Sequence, residues 1–154
     1  MRLTLLAAGT RLPGWMTDGY ADYAARFPPS HPLVLVEIAL GDHKRDVARA
    51  MRDEGERMLK HVTRGARLVT LEVAGKAWSS EQLAAELARW QQDGRDVVFA
   101  IGGPEGLAPE VLQRAEQRWS LGPITLPHGL ARILAAEQLY RAHSILKGLP
   151  YHRG

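Results

Sequence analysis

Three short stretches carry residue types and spacings that can do chemistry. The first is Gly102-Gly103-Pro104-Glu105-Gly106, which follows an apolar run. Glycine there permits close approach of main chain to a ligand and backbone conformations with positive φ. The spacing departs from GxGxxG, and no Lys-Ser/Thr follows, so neither the dinucleotide fingerprint nor the phosphate loop is present. A tight strand-to-helix turn and a main-chain ligand cradle both remain open. The second stretch is residues 121–128, LGPITLPH, in which Gly122, Pro123 and Pro127 constrain the backbone. Such a loop either offers fixed N–H and C=O groups to a flat heterocycle or is simply a turn. The third is Pro150-Tyr151-His152-Arg153. Its aromatic ring, imidazole and guanidinium can stack on a base, move a proton near neutral pH and hold a phosphate. The alternative is a frayed chain end.

His128 and Arg132, one helical turn apart, make a comparable pair where the last helical pattern begins. A helix N-terminus disfavours the charged imidazole, which argues for a neutral His128. His31, His43 and His61 have no such company and read as surface loop or helix residues. His143 reads as packing of the last helix. The dense charge of residues 42–57 is most simply a solvated helix face.

Composition narrows the classes. The chain has 154 residues, 45% of them hydrophobic and 24% charged, which describes one globular domain spanning 1–154 with an ordinary core. It has no cysteine, so disulfides and thiolate metal sites are excluded, and its six histidines show no HExxH-like spacing, so no metal is expected. The apolar stretch 3–8 is shorter than a secretory h-region and reads as a buried strand. No run approaches the roughly 20 apolar residues of a membrane span, and a cytoplasmic protein is expected. A formal net charge of +3 permits a polyanionic partner without demanding one.

The elements that must position these groups alternate along the chain. Strands are expected at residues 2–10, 33–40, 67–73 and 96–101, with a short fifth at 124–126. Helices are expected at residues 15–27, 46–62, from Ser79 to about 92, at 109–119 and at 130–146. Residues 74–76 read as a turn, and Ser79 with Gln82 as a capping box. The tail 147–154 is too short to be an element. Strict alternation predicts an α/β domain with a mainly parallel sheet flanked by helices. In such sheets ligands bind beyond the carboxyl ends of the strands. Residues 96–141 would bring two such ends and two helix starts together. The last helix is apolar over most of its girth, which fits burial or an oligomer interface.

The IGGPEG turn, the LPH–LxRxLxAEQLYRA segment and the terminal PYHR together resemble the RlmH family. These are SPOUT-class methyltransferases that modify a pseudouridine in large-subunit ribosomal RNA. The likeness covers essentially the whole chain. It includes the N-terminal pattern of Leu6, Ala7, Ala8, Gly9, Thr10, Pro13 and Trp15, and the block at 83–90 and 93–97. Gly129 lies beside the motif rather than in it. The resemblance implies a SPOUT-type fold with a C-terminal trefoil knot, against the general rule that connections do not knot. It implies S-adenosylmethionine as cofactor, 23S rRNA within the ribosome as partner, and a homodimer whose site draws on both subunits. Carried over by motif, the cofactor contacts are Leu71, Glu72, Gly102, Gly103, Leu121, Gly122, Pro123, Ile124, Thr125, Leu126 and Pro127. His128, Arg132, Tyr151, His152 and Arg153 fall where the family places substrate handling and catalysis.

The implied reaction is methyl transfer to N3 of pseudouridine, a poor nucleophile until its imide proton leaves. A base near neutral pH is needed, and His128 and His152 both qualify. Tyr151 would stack on or orient the base, while Arg132 and Arg153 would grip phosphate or a ring oxygen. With no appended RNA-binding module, little activity is expected on naked RNA. The rival readings are a SPOUT methyltransferase of another RNA and a non-enzymatic ribosome-associated protein. A dinucleotide oxidoreductase is disfavoured by the failed GxGxxG.

Overall fold

The computed structural model describes residues 1–152. Five strands form one all-parallel sheet: β1 (Leu3–Ala8), β2 (Leu33–Ile38), β3 (Arg67–Ala77), β4 (Val97–Ile101) and β5 (Gln117–Ser120), in the order β2-β1-β4-β3-β5. The helices are α1 (Gly14–Ala24), α2 (Val47–Leu59), α3 (Ser80–Asp93), α4 (Pro109–Arg114) and α5 (His128–Lys147). A 3₁₀ turn, Pro150–His152, follows α5.

Period-two alternation assigns each strand side chain to one of two cores. Leu3, Leu5, Val97, Phe99, Val69 and Trp119 pack with Tyr20 of α1, Leu83, Leu87 and Trp90 of α3, and Ala135 and Leu139 of α5. Leu6, Ala8, Ile38, Leu68, Val98 and Ala100 face Met58 of α2 and Val111 of α4. Coverage on both faces explains the continuous apolar runs of β1 and β4. The expected capping box is present: Ser79 Oγ accepts from the Gln82 amide at 3.1 Å, and Gln82 Oε1 accepts from the Ser79 amide at 2.9 Å.

Five sequence expectations need correction. The fifth strand is Gln117–Ser120, not 124–126, and helix α4 stops at Arg114 instead of continuing to 119. Ala115 is already extended, and Trp119 is buried as a strand residue beside β3. Residues 74–76 are not a turn but the continuation of β3. The ladder to β5 shifts between Leu71 and Lys76, so 72–75 bulge out of register and pairing resumes at Lys76 and Ala77. The tail is not formless, since Pro150–His152 makes its 3₁₀ turn on α5. His43 is not a free surface residue. Its Nε2 lies 2.5 Å from Glu54 Oε2, a buried carboxylate within the otherwise solvated run 42–57, which also accepts from the Gly41 amide at 2.8 Å.

Candidate active site

A cavity of about 300 Å³ opens beyond the carboxyl end of β4 and beside the bulge of β3. Three loops wall it. The β3 bulge contributes Leu71, Glu72 and Val73. The glycine turn after β4 contributes Gly102, Gly103, Pro104 and Gly106, between Ile101 and Leu107. The β5–α5 loop contributes Leu121, Gly122, Ile124, Thr125 and Leu126, and His128 and Ala131 close it from α5. The glycine turn folds back on itself, with the Gly106 amide donating to the Gly103 carbonyl at 3.1 Å. A Cβ on Gly102 would collide with the Gly106 main chain and lie 2.7 Å from the Leu107 nitrogen. Only glycine fits that crossing. Ser120 fixes the next loop by accepting from the Gly122 amide at 3.1 Å and donating to the Gly122 carbonyl at 3.0 Å.

Nine of the eleven expected cofactor contacts line this cavity. Pro127 borders instead a neighbouring cavity of about 550 Å³, which shares Gly103, Pro104, Thr125, Leu126 and His128 with the first and adds Ala8 and Leu40. Pro123 borders neither. Val73, Ile101, Leu107 and Ala131 were not anticipated. Pro104 was visible within the glycine motif. Val73 reaches the wall only because the strand bulges, which periodicity does not reveal.

His128, the first residue of α5, stands between the two cavities and is paired with Arg132. Arg132 is 1% exposed. Its Nη1 donates to Glu37 Oε2 at 2.7 Å, and its Nη2 donates to the Gly9 carbonyl at 2.7 Å and lies 3.2 Å from His128 Nε2. A guanidinium has no acceptor, so His128 Nε2 accepts and the neutral ring carries its proton on Nδ1. Burial, then the neighbouring Arg132 charge, holds the His128 pKa below the usual histidine value, with Glu37 opposing weakly. Gly9 completes the arrangement: its φ of +120° disfavours other residues, and a Cβ there would sit 2.8 Å from His128 Nε2. Arg132 is thus an internal clamp joining the ends of β1 and β2 to α5. Sequence reasoning missed Glu37, which is visible only as a single carboxylate in an apolar strand.

Tyr151 and His152 are not brought to this place in the same chain. Tyr151 packs on α5 beside Glu137 and Tyr140, residues that lie roughly 13 to 18 Å along the helix axis from His128 at 1.5 Å per residue. His152 is exposed. Arg153 lies outside the described residues. Among the described residues no cluster of three or more potential metal ligands occurs. Among the described residues no helix is long and apolar enough to cross a membrane.

The described fold agrees with that of known proteins similar to this chain. A family model described as "Predicted SPOUT methyltransferase" matches residues 1–152. Ribosomal RNA large subunit methyltransferase H of Azotobacter vinelandii is 59% identical over 155 residues, covering 99% of this chain and 100% of that protein. The protein of the same name from Pseudomonas putida (strain F1) is 58% identical with the same coverage. A solved structure concerned with 2-OH methylation of C/U34 on tRNA superposes with a TM-score of 0.53 at 22% identity, covering 93% of this chain and 97% of that one. A putative methyltransferase from Legionella pneumophila, solved with bound SAM, gives a TM-score of 0.53 at 13% identity, covering 92% and 66%. At those identities the structural likeness is one of fold. With a family model spanning all but its last two residues and relatives near 60% identity along its length, the chain belongs to the SPOUT methyltransferase family.

Proposed function

We propose that this protein transfers the methyl group of S-adenosylmethionine to N3 of a pseudouridine in large-subunit (23S) ribosomal RNA, on the assembled ribosome and therefore in the cytoplasm. The observation that carries the reading is the loop-walled cavity at the end of β4 and the bulge of β3, in a chain so close to ribosomal RNA large subunit methyltransferase H.

The cavity residues fit the cofactor. Leu71, Ile101, Leu107 and Leu126 offer apolar walls to a flat heterocycle, and the glycine turn leaves main chain open where a Cβ would intrude. Glu72 supplies a carboxylate at the rim for hydroxyl or ammonium groups. When bound, S-adenosylmethionine supplies an electrophilic methyl group. The neighbouring cavity, which shares the His128 wall, suits the acceptor base. Fixing donor and acceptor on either side of one wall replaces a costly encounter with a near-attack geometry.

The proton on N3 must leave before N3 can attack. His128 is poorly placed to take it, because Arg132 already occupies its Nε2 lone pair and lowers its basicity. His128 serves better as a fixed wall, its tautomer set by Arg132. His152, exposed at the end of the chain, is the better base. Because it is seated far from the cavity of its own subunit, it serves the cavity of a partner in a homodimer. Exposed Trp15 on α1 and Leu134 on α5 support such a contact, being large apolar groups on adjoining helices. Arg153 follows His152 and completes the same acceptor-side group. The C-terminal trefoil knot belongs to this reading as well, with the β5–α5 loop and the glycine turn lining the same cavity.

Methyl transfer to ribosomes lacking the modification, followed by mass spectrometry of the nucleosides, tests the proposal. N3-methylpseudouridine on ribosomes and little product on naked RNA are expected. Ribose methylation, or equal turnover on a free hairpin, would overturn it.

A further inference from the structure

Chain ends ordinarily fray, and a three-residue 3₁₀ turn has too few internal bonds to hold itself. Here the final turn is seated by one side chain. The Tyr151 hydroxyl lies 2.9 Å from Glu137 Oε2 and 3.2 Å from the Tyr23 hydroxyl. A phenol has one proton, and the carboxylate is the stronger acceptor, so Tyr151 donates to Glu137 and accepts from Tyr23. Arg141, one turn further along α5, holds Glu137 in place with Nη2 at 3.0 Å and Nε at 3.2 Å. The Tyr151 ring packs edge-on against Tyr140, centroids 4.8 Å apart, and the guanidinium carbons of Arg141 and Arg26 lie 5.1 and 5.7 Å from its centroid. The hydroxyl, an edge and a neighbouring face of the ring are thus engaged within the protein. Burial, and with it the Glu137 carboxylate, raises the phenol's pKa far above its ordinary value, so it stays a donor to Glu137.

We infer that Tyr151 is a pin, not a stacking platform for the acceptor base, and that Glu137 is the positioning residue that receives it. The pin gives His152 a fixed point of departure, and Glu137 acts on the reaction only through that placement. This inference rests on the reading that the tail carries the acceptor-side base.

Four variants of the full-length protein decide it: Tyr151→Phe, Glu137→Gln, Tyr151→Leu and His152→Ala. The readouts are kcat and KM on unmodified ribosomes, calorimetric affinity for S-adenosylmethionine, and amide exchange at residues 149, 151 and 152. Tyr151→Phe and Glu137→Gln should each lower kcat about tenfold and speed exchange in the tail. Affinity for S-adenosylmethionine should stay within about twofold in both, and combining them should cost no more than one alone, because both remove the same bond. If Tyr151 instead stacks on the base, Tyr151→Phe and Glu137→Gln will keep wild-type rates and exchange while Tyr151→Leu is inactive, which overturns the inference. An inactive His152→Ala alongside those wild-type rates removes the pin and leaves the tail reading standing. A fully active His152→Ala removes the tail reading, and the pin's role in catalysis with it.

Discussion

The two ends of α5 solve different problems with different chemistry. At its N-terminus the cavity is built from loops, with glycines where main chain must cross closely and apolar side chains for walls. At its C-terminus the tail is built from side chains, a carboxylate, arginines and tyrosines meeting from α1, α5 and the final turn. A main-chain cradle tolerates almost no added volume but little depends on any one functional group. A side-chain socket is the reverse, since single polar atoms decide it while bulk is negotiable. The first suits a cofactor recognised by shape, and the second, on the proposed reading, a tail presented to a partner subunit.

Volume should therefore break the first region most severely. Gly102→Val places side-chain atoms against the Gly106 main chain, and calorimetry should show affinity for S-adenosylmethionine reduced at least about a hundredfold, as a near-attack site misplaced by an ångström would be. Normal affinity would mean that the glycine turn is not a cofactor wall.

Charge should matter at the clamp between these extremes. Glu37→Ala leaves buried Arg132 without its carboxylate. Loss of a hydrogen bond to a charged group should cost about 2 kcal/mol in denaturant unfolding. Glu37→Gln, which keeps an acceptor, should cost about half as much by the same reasoning. A zero effect from Glu37→Ala would show that the clamp is open in solution.

The smallest effect is on pH. Burial lowers the pKa values of both His128 and His143, with help from Arg132 in the first case and from Lys147 and His31 in the second. Below a pH of about 6.5 the unfolded chain takes up protons that the folded chain resists, so stability should fall on acidification and level off above it. Melting temperatures from pH 8 to 5 should show this, and His128→Asn should flatten part of the slope. A slope of opposite sign would contradict the burial of these rings.

The same contrast explains what the sequence made legible. Four of five strands and the capping box at Ser79 follow from apolar runs and local hydrogen-bond chemistry, and nine cavity residues from motif resemblance. The fifth strand escaped because QRWS buries only Trp119 and Ser120 and looks like the end of the helix before it. Residues 124–126 imitated a strand although Ile124 is 71% exposed. The β3 bulge, the Glu37–Arg132 clamp and the Tyr151–Glu137 contact join residues distant in the chain or out of register, and no periodicity encodes them.

The central claim is that cavity and tail complete one site only across two subunits. Mixing a Gly102→Val protein with a His152→Ala protein, each inactive alone, tests it directly. After subunit exchange half of the dimers are mixed, and each holds one cavity and one tail that are both intact, so activity should return to roughly a quarter of wild type. If cavity and tail of the same chain work together, every site in the mixture lacks one half, and the activity will stay at zero.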